Sequence, residues 1–243
     1  MDLFNKCAEN YDQFRKGSTP YLFTIISLLK RFKNRNILDL GCGTGNLFLQ
    51  LSPHWKGNYV GIDISEKMLR KAQEKKISAE WIYADVRNIP CQDASFDGIT
   101  GIYVLHLLDD ISRILTESRR ILKSGWVVFV SAPHHFIKNH PLNQFFPSFS
   151  KIDIQRFPEE EKIVDLLKGK GFYNIRREYY ISVRDWLSEE YLEKIRSKFI
   201  STLRLIPQDE FEEGLIKMQE EVSKSSYQKL IPWESVLIMG FCD

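Results

Sequence analysis

Ile37-Leu38-Asp39-Leu40-Gly41-Cys42-Gly43-Thr44-Gly45 is the run on which the reading of this chain turns. Asn36 to Leu40 is predicted as a short apolar strand. Gly41 to Gly45 is a turn with glycine at every second position, and Asn46 to Leu51 opens a helix. Glycine permits positive φ and carries no side chain, so a ligand can lie directly on this backbone. The free N–H groups of the following helix favour a carboxylate or phosphate. Two common glycine loops are disfavoured by spacing. A phosphate loop needs Gly-Lys-Ser/Thr, and here Asn46 and Leu47 follow Gly45. A dinucleotide fingerprint is G-x-G-x-x-G, and here the third glycine arrives one residue early.

Outward from the turn, strands and helices alternate. Asn58 to Ile62 is a predicted strand and Ser65 to Lys75 a helix, capped by Ser65, with Met68, Leu69 and Ala72 on its buried side. Glu80 to Ala84, Gly98 to Tyr103 and Trp126 to Ala132 are further strands, with a helix over Asp110 to Leu122. Repeated β-α units imply a doubly wound α/β fold, a parallel sheet with helices on both faces. Ser18-Thr19-Pro20 reads as a helix start, by a hydroxyl cap followed by a first-turn proline.

Pro133 to Pro158 breaks this rhythm. It holds Phe136, Phe145, Phe146, Phe149 and Phe157 with prolines at 133, 141 and 147, and its length suggests an aromatic lid. Glu159 to Lys168 resumes as a helix and Phe172 to Val183 as a strand. Two amphipathic stripes follow, Leu192, Ile195, Phe199, Leu203 and Phe211, Leu215, Met218, Val222, each expected to pack into a core. Ser235 to Phe241 closes as a strand, the seventh. The whole chain is expected to form one domain over 1–243. It divides into an N-terminal helical cap (1–35), a core (36–132), the lid (133–158) and the remaining helices and strands (159–243).

Composition narrows the class. Apolar residues are 43% and charged residues 27% of 243, ordinary globular usage. Lys and Arg number 34 against 32 Asp and Glu, a net charge of +2, too even to point to nucleic acid. The cysteines at 7, 42, 91 and 242 form no C-x-x-C pair, so no metal is expected, and their scatter fits a reducing, cytoplasmic setting. No apolar run approaches the roughly 18–20 residues that span a bilayer, so no membrane partner is expected.

Acids after the second and third strands complete the pattern. Asp63 ends Val60-Gly61-Ile62-Asp63, where it can accept both hydroxyls of a ribose lying over the first turn. Asp85 ends Trp81-Ile82-Tyr83-Ala84-Asp85 beside the same cleft, positioned to accept from an adenine amine.

With these residues in place the chain resembles the class I S-adenosylmethionine-dependent methyltransferases. Ile37 to Gly45 looks like their first motif and Tyr59 to Leu69 their second. Asp85 to Asp97 is similar to the D-x-x-x-L-P-F-x-D-x-S-F-D segment of the small-molecule branch, which includes quinone-biosynthesis enzymes. Leu105-His106, Arg120 to Gly125, and Tyr11-Asp12 with Arg15 match further segments. Three positions depart: Cys91 for phenylalanine, Trp126 for a second glycine, and Gly101-Ile102 for a small polar pair.

The resemblance implies a seven-stranded, mostly parallel, Rossmann-like sheet with an antiparallel last strand and helical and aromatic cap elements. It implies S-adenosyl-L-methionine as cofactor, S-adenosyl-L-homocysteine as product and a small-molecule methyl acceptor. Its cofactor-binding set here is Tyr11, Arg15, Asp39, Gly41, Cys42, Gly43, Asp63, Ile64, Met68, Asp85, Val86 and Gly101. Gly41 to Gly45 and Asp39 would hold the methionine part, Ile64 and Met68 the adenine faces, and Asp85 with the Val86 N–H the adenine edge. Tyr11 and Arg15 would close over it.

Methyl transfer needs the acceptor atom aligned behind the methyl group, roughly 3–3.5 Å away. A base is needed only where the acceptor keeps a proton, and His106 is then the candidate, with Tyr103 second. An RNA or protein acceptor, or a non-catalytic cofactor-binding protein, are the alternatives.

Overall fold

The structure, a computed structural model, describes residues 11–13, 19–33, 35–224 and 229–243. Among these, seven strands form one sheet in the order β3-β2-β1-β4-β5-β7-β6. The strands are β1 (Asn36–Leu40), β2 (Asn58–Asp63), β3 (Glu80–Tyr83), β4 (Phe96–Ile102), β5 (Leu122–Ser131), β6 (Tyr173–Trp186) and β7 (Leu230–Cys242). β3, β2, β1, β4 and β5 pair in parallel, while β7 lies antiparallel between β5 and β6. The order steps outward both ways from β1 and β4, which makes the ends of these two strands the switch point where open α/β sheets bind ligands.

Alternation along β1 shows how the sheet is filled. Leu38 and Leu40 join one apolar cluster with Ile99, Val127 and Phe129, covered by helices α4 (Ile111–Ile121) and α7 (Glu160–Gly169). Ile37 joins the opposite cluster, under α1 (Leu22–Arg31) and α2 (Asn46–Leu51). α3 (Glu66–Glu74) starts as expected, with Ser65 Oγ accepting from the Met68 N–H at 3.3 Å. Trp126, fully buried on β5, explains one departure from the resemblance. A Cβ on Gly98 of the neighbouring β4 would meet its ring at 2.7 Å, so a glycine and a tryptophan share the space of two side chains.

Three local expectations are corrected. The hydroxyl cap at the first helix is absent: α1 starts at Leu22 with no side-chain cap, and the Thr19 N–H donates instead to Gln50 Oε1 at 2.8 Å. Residues 133–158 are built from helices α5 (His134–Asn139) and α6 (Phe149–Arg156), with a 3₁₀ turn (Pro141–Gln144) between them. The first late stripe is broken. α8 (Glu189–Arg196) ends before Phe199, Lys198 takes φ +52, and Leu203 lies on a separate 3₁₀ turn, Ser201–Arg204. Both stripes still pack together. Leu192, Ile195 and Leu203 join Phe146, Phe149 and Phe211 in a third apolar cluster, which includes α9 (Gln208–Lys224). Phe145, Phe146 and Phe149 thus form part of a core. Cutting out 139–150 would take Leu142, Phe145, Phe146 and Phe149 out of that core along with any lid.

Replacing Trp126 by alanine empties the site beside Gly98. The expected outcome is a loss of about 3–5 kcal/mol in unfolding free energy, read from the denaturant midpoint.

Candidate functional site

The turn after β1 is folded back on β2. The N–H groups of Gly41 and Cys42 both donate to the Ile62 carbonyl, at 2.8 and 2.9 Å. Gly41 takes φ +69, and a Cβ there would strike Val104 at 2.8 Å. Gly43, at φ +54, differs: a Cβ there would meet nothing within 4 Å. Its outer side is open, a bare backbone shelf at the switch point. Its N–H donates to Asp63 Oδ2 at 2.8 Å, and the Ser65 N–H donates to Oδ1 at 2.8 Å. Asp63 therefore fixes the shelf from the tip of β2.

Beneath the shelf lies Asp39, 2% exposed. Tyr59 of β2 donates its hydroxyl to Oδ2 at 2.5 Å, and Thr100 of β4 donates to Oδ1 at 2.7 Å. Burial pushes the carboxyl up to about 6, against these two hydrogen bonds and with the charge of Asp63 adding to the rise.

The entry segment is tied to the same turn. Asp12 Oδ1 accepts from Thr44 Oγ1 at 2.6 Å and from Asn46 Nδ2 at 2.8 Å, and Lys75 Nζ lies 2.8 Å from Oδ2. Lys75 also donates to the Thr44 carbonyl at 2.6 Å. Burial raises the Asp12 carboxyl, but the hydrogen bonds from Lys75, Thr44 and Asn46 outweigh it and hold the group below its ordinary value. The carboxylate at the start of α2 is thus the protein's own.

A cavity of about 520 Å³ opens from this turn. Tyr11, Asp39, Gly41, Cys42, Gly43 and Thr44 line its inner end. Tyr103 and His106 line it too, as do Phe136, Phe149, Phe157, Tyr191 and Trp233, the walls of its aromatic chamber. Tyr103, at φ +52, joins the two parts to β7. Its hydroxyl accepts from Trp233 Nε1 at 2.8 Å and bonds Ser235 Oγ at 2.7 Å. The His106 ring lies flat on Phe157, centroids 4.1 Å apart and 5° from parallel.

Six of the residues expected from the sequence therefore share one cavity: Tyr11, Asp39, Gly41, Cys42, Gly43 and His106. Six do not line it. Asp63 serves the turn from outside. Ile64 is exposed, while Met68 and Val86 are buried in the protein interior. Asp85 is turned onto its own loop, where the Arg87 Nη2 and Nε donate to it at 2.7 and 3.1 Å and hold its carboxyl below the usual range. Gly101 is packing: a Cβ there would meet Phe129 at 2.7 Å. Arg15 lies outside the described residues. The sequence reading missed Tyr59, Thr100, Asn46 and Lys75. Tyr59 and Thr100 sit inside apolar strands, and only their registers opposite Asp39 and its neighbours reveal them.

Lys75→Met removes one cation from the entry segment's hold. The expected outcome is several-fold faster proteolytic cleavage near Tyr11, with the unfolding midpoint changed little. A partly exposed ion pair contributes about 0.2–1 kcal/mol.

Residues 37–125 match the family described as methyltransferase domain. A malonyl-[acyl-carrier protein] O-methyltransferase of Hamiltonella defensa is 28% identical over 83% of this chain and 74% of its own length. A demethylmenaquinone methyltransferase of Thermotoga maritima is 34% identical over 51% of this chain, which spans just 56% of that relative. Among solved structures, a protein of Anabaena variabilis described as an antibiotic-pathway methyltransferase superposes with a TM-score of 0.74. The match covers 89% of this chain and 95% of that one at 21% identity, a likeness of fold. With the glycine shelf, the switch-point cavity and this family match together, the chain carries, over residues 37–125, a methyltransferase domain of the S-adenosylmethionine-dependent kind.

Proposed function

We propose that this chain methylates a small molecule with an apolar body, held in the aromatic chamber next to the cofactor lobe. The observation that carries the reading is continuity: one cavity runs from the Gly43 shelf to Phe136, Phe149 and Trp233. A cavity of about 520 Å³ with aromatic walls suits a small acceptor better than an RNA or a folded protein surface. The relatives named for demethylmenaquinone act on apolar ring compounds, which agrees with aromatic walls. The free cysteines Cys42, Cys91 and Cys242 accord with a cytoplasmic setting, and no helix among the described residues is long and apolar enough to cross a membrane.

The residues present fit S-adenosyl-L-methionine. The shelf at Gly43 is bare backbone with open space beyond it, room for a ligand to lie directly on it. Asp39 supplies a buried anion on the cavity wall beside it, suited to the cofactor's ammonium group. Tyr11 lines the same end of the cavity. Asp63 and Ile64, at the tip of β2, would meet the ribose and adenine along the rim. When bound, the cofactor supplies a methyl group already activated on a sulfonium. The chain's part is to orient the acceptor and exclude water. Where the acceptor carries a proton, His106 is the base, held flat by Phe157.

Two outcomes test this. Gly43→Ala puts a methyl group on the shelf. It should cost only about 1–2 kcal/mol of stability through its left-handed backbone, yet abolish cofactor binding measured by calorimetry. Binding at wild-type strength would remove the shelf from the site. The second is a pH dependence. Asp39 loses its proton as pH rises through about 6, so cofactor affinity should tighten from pH 5 to pH 7. Stability of the unliganded chain has the opposite slope. The folded carboxyl stands above its ordinary 3.8, so the folded form binds more protons, and stability falls as pH rises from 3.8 through about 6. Asp39→Asn should flatten both curves.

A further inference from the structure

One face of α6 points into the chamber. Phe149 and Asp153 of the helix, and Phe157 directly after its last residue, recur at intervals of four, and all three line the cavity. Two rings thus flank a carboxylate. His140 lies against the first ring, centroids 4.9 Å apart, and His106 against the second.

Asp153 is 5% exposed and short of donors. The Thr202 hydroxyl, with one proton, lies 2.8 Å from Oδ1 and 2.9 Å from Oδ2. Arg156 Nη1 donates to Oδ1 at 3.2 Å, and Arg156 Nη2 turns to Ser201 Oγ at 3.1 Å. An ionised carboxylate can accept about four hydrogen bonds. Oδ2 has only a share of the Thr202 proton. Burial pushes this carboxyl up to about 6, against the pull of Thr202 and Arg156. A further donor from the chamber would relieve it.

Resting on the methyl-transfer reading, we propose that Asp153 is the specificity-determining residue of the acceptor chamber, taking a hydrogen bond from a hydroxyl on a flat apolar acceptor. The rings of Phe149 and Phe157 hold the flat body on either side of the carboxylate. The Asp153–Arg156 pair carries no net charge, so it offers an ammonium group no net attraction. Beside Asp153 a carboxylate acceptor meets the wrong charge, because Arg156 is not on the cavity wall; of the two cations that are, Lys194 is engaged by Asp185 and Glu190, and Arg204 is the other. The chamber therefore selects phenol-like or enol-like hydroxyls over amines and acids.

The test uses the full chain loaded with S-adenosyl-L-homocysteine and three probes of one shape: 1-naphthol, naphthalene and 1-naphthoate. Calorimetry should find the naphthol bound about tenfold tighter than either of the others, the scale of one charge-assisted hydrogen bond. Asp153→Asn should shrink the naphthol-to-naphthalene ratio to about threefold or less while homocysteine-product affinity stays unchanged. Equal binding of naphthol and naphthalene to the wild-type chain overturns the proposal, as does a preference for naphthoate, or a ratio untouched in Asp153→Asn. The wild-type comparison decides even if that variant fails to fold. Absent binding of S-adenosyl-L-homocysteine to the wild type counts against the methyl-transfer reading instead, and the three probes are then compared on the unliganded chain.

Discussion

A carboxylate buried between three strands sets the geometry of this protein. Asp39 stands opposite Gly61 of β2 and Thr100 of β4, and its two oxygens are held by hydroxyls from those same neighbours, Tyr59 and Thr100. An ionisable group out of water is tolerated only where its hydrogen bonds are met. A slip of one residue between β1 and either neighbour would turn those side chains to the opposite face. Asp39 thus stabilises one register of the sheet centre, and the glycine turn directly after it inherits that register. The shelf at Gly43 then needs only the Asp63 hydrogen bond from β2 to complete its position.

The same arrangement accounts for the tension in the site. Burial leaves Asp39 with a raised proton affinity, and Asp63 nearby raises it further. Two acids close to one open shelf favour a cation there. Tyr59 and Thr100 lower the cost without removing it. On the proposed reading, a cationic ligand there would supply the charge that the fold withholds, and bind more tightly for it.

The fold was legible where backbone and apolar patterning speak directly. The Gly41 to Gly45 turn, the β-α alternation and the Ser65 cap each follow from local chemistry, and each appears in the structure. The aromatic stretch was not legible as helices, and the reason is proline. Pro133, Pro141 and Pro147 read as breaks, but Pro133 is the N-cap of α5, Pro141 opens a 3₁₀ turn, and Pro147 precedes α6 by two residues. Each stands at a start, where a missing N–H costs nothing. The site was half legible. Backbone positions such as Gly43 announce themselves, whereas Tyr59, Thr100, Lys75 and Asp153 act through pairings that only tertiary structure creates.

The cap has its own core. Phe146, Phe149, Tyr191, Leu192 and Phe211 cluster apart from both faces of the sheet, while a smaller group around Phe136, Ile137 and Phe157 meets Tyr103 and Trp233. Changes inside the first cluster reshape the chamber without disturbing Asp39 or the turn, because additivity fails mainly between residues that touch. Tyr103 is the crossing point. It belongs to the tip of β4 by its backbone and to the chamber by its hydroxyl, and it holds a left-handed conformation to do both. Strain of that kind persists where the surroundings over-determine it. Here the Val130 carbonyl, Ser235 and Trp233 do so from three directions, and the chamber wall is thereby fixed relative to the Gly43 shelf.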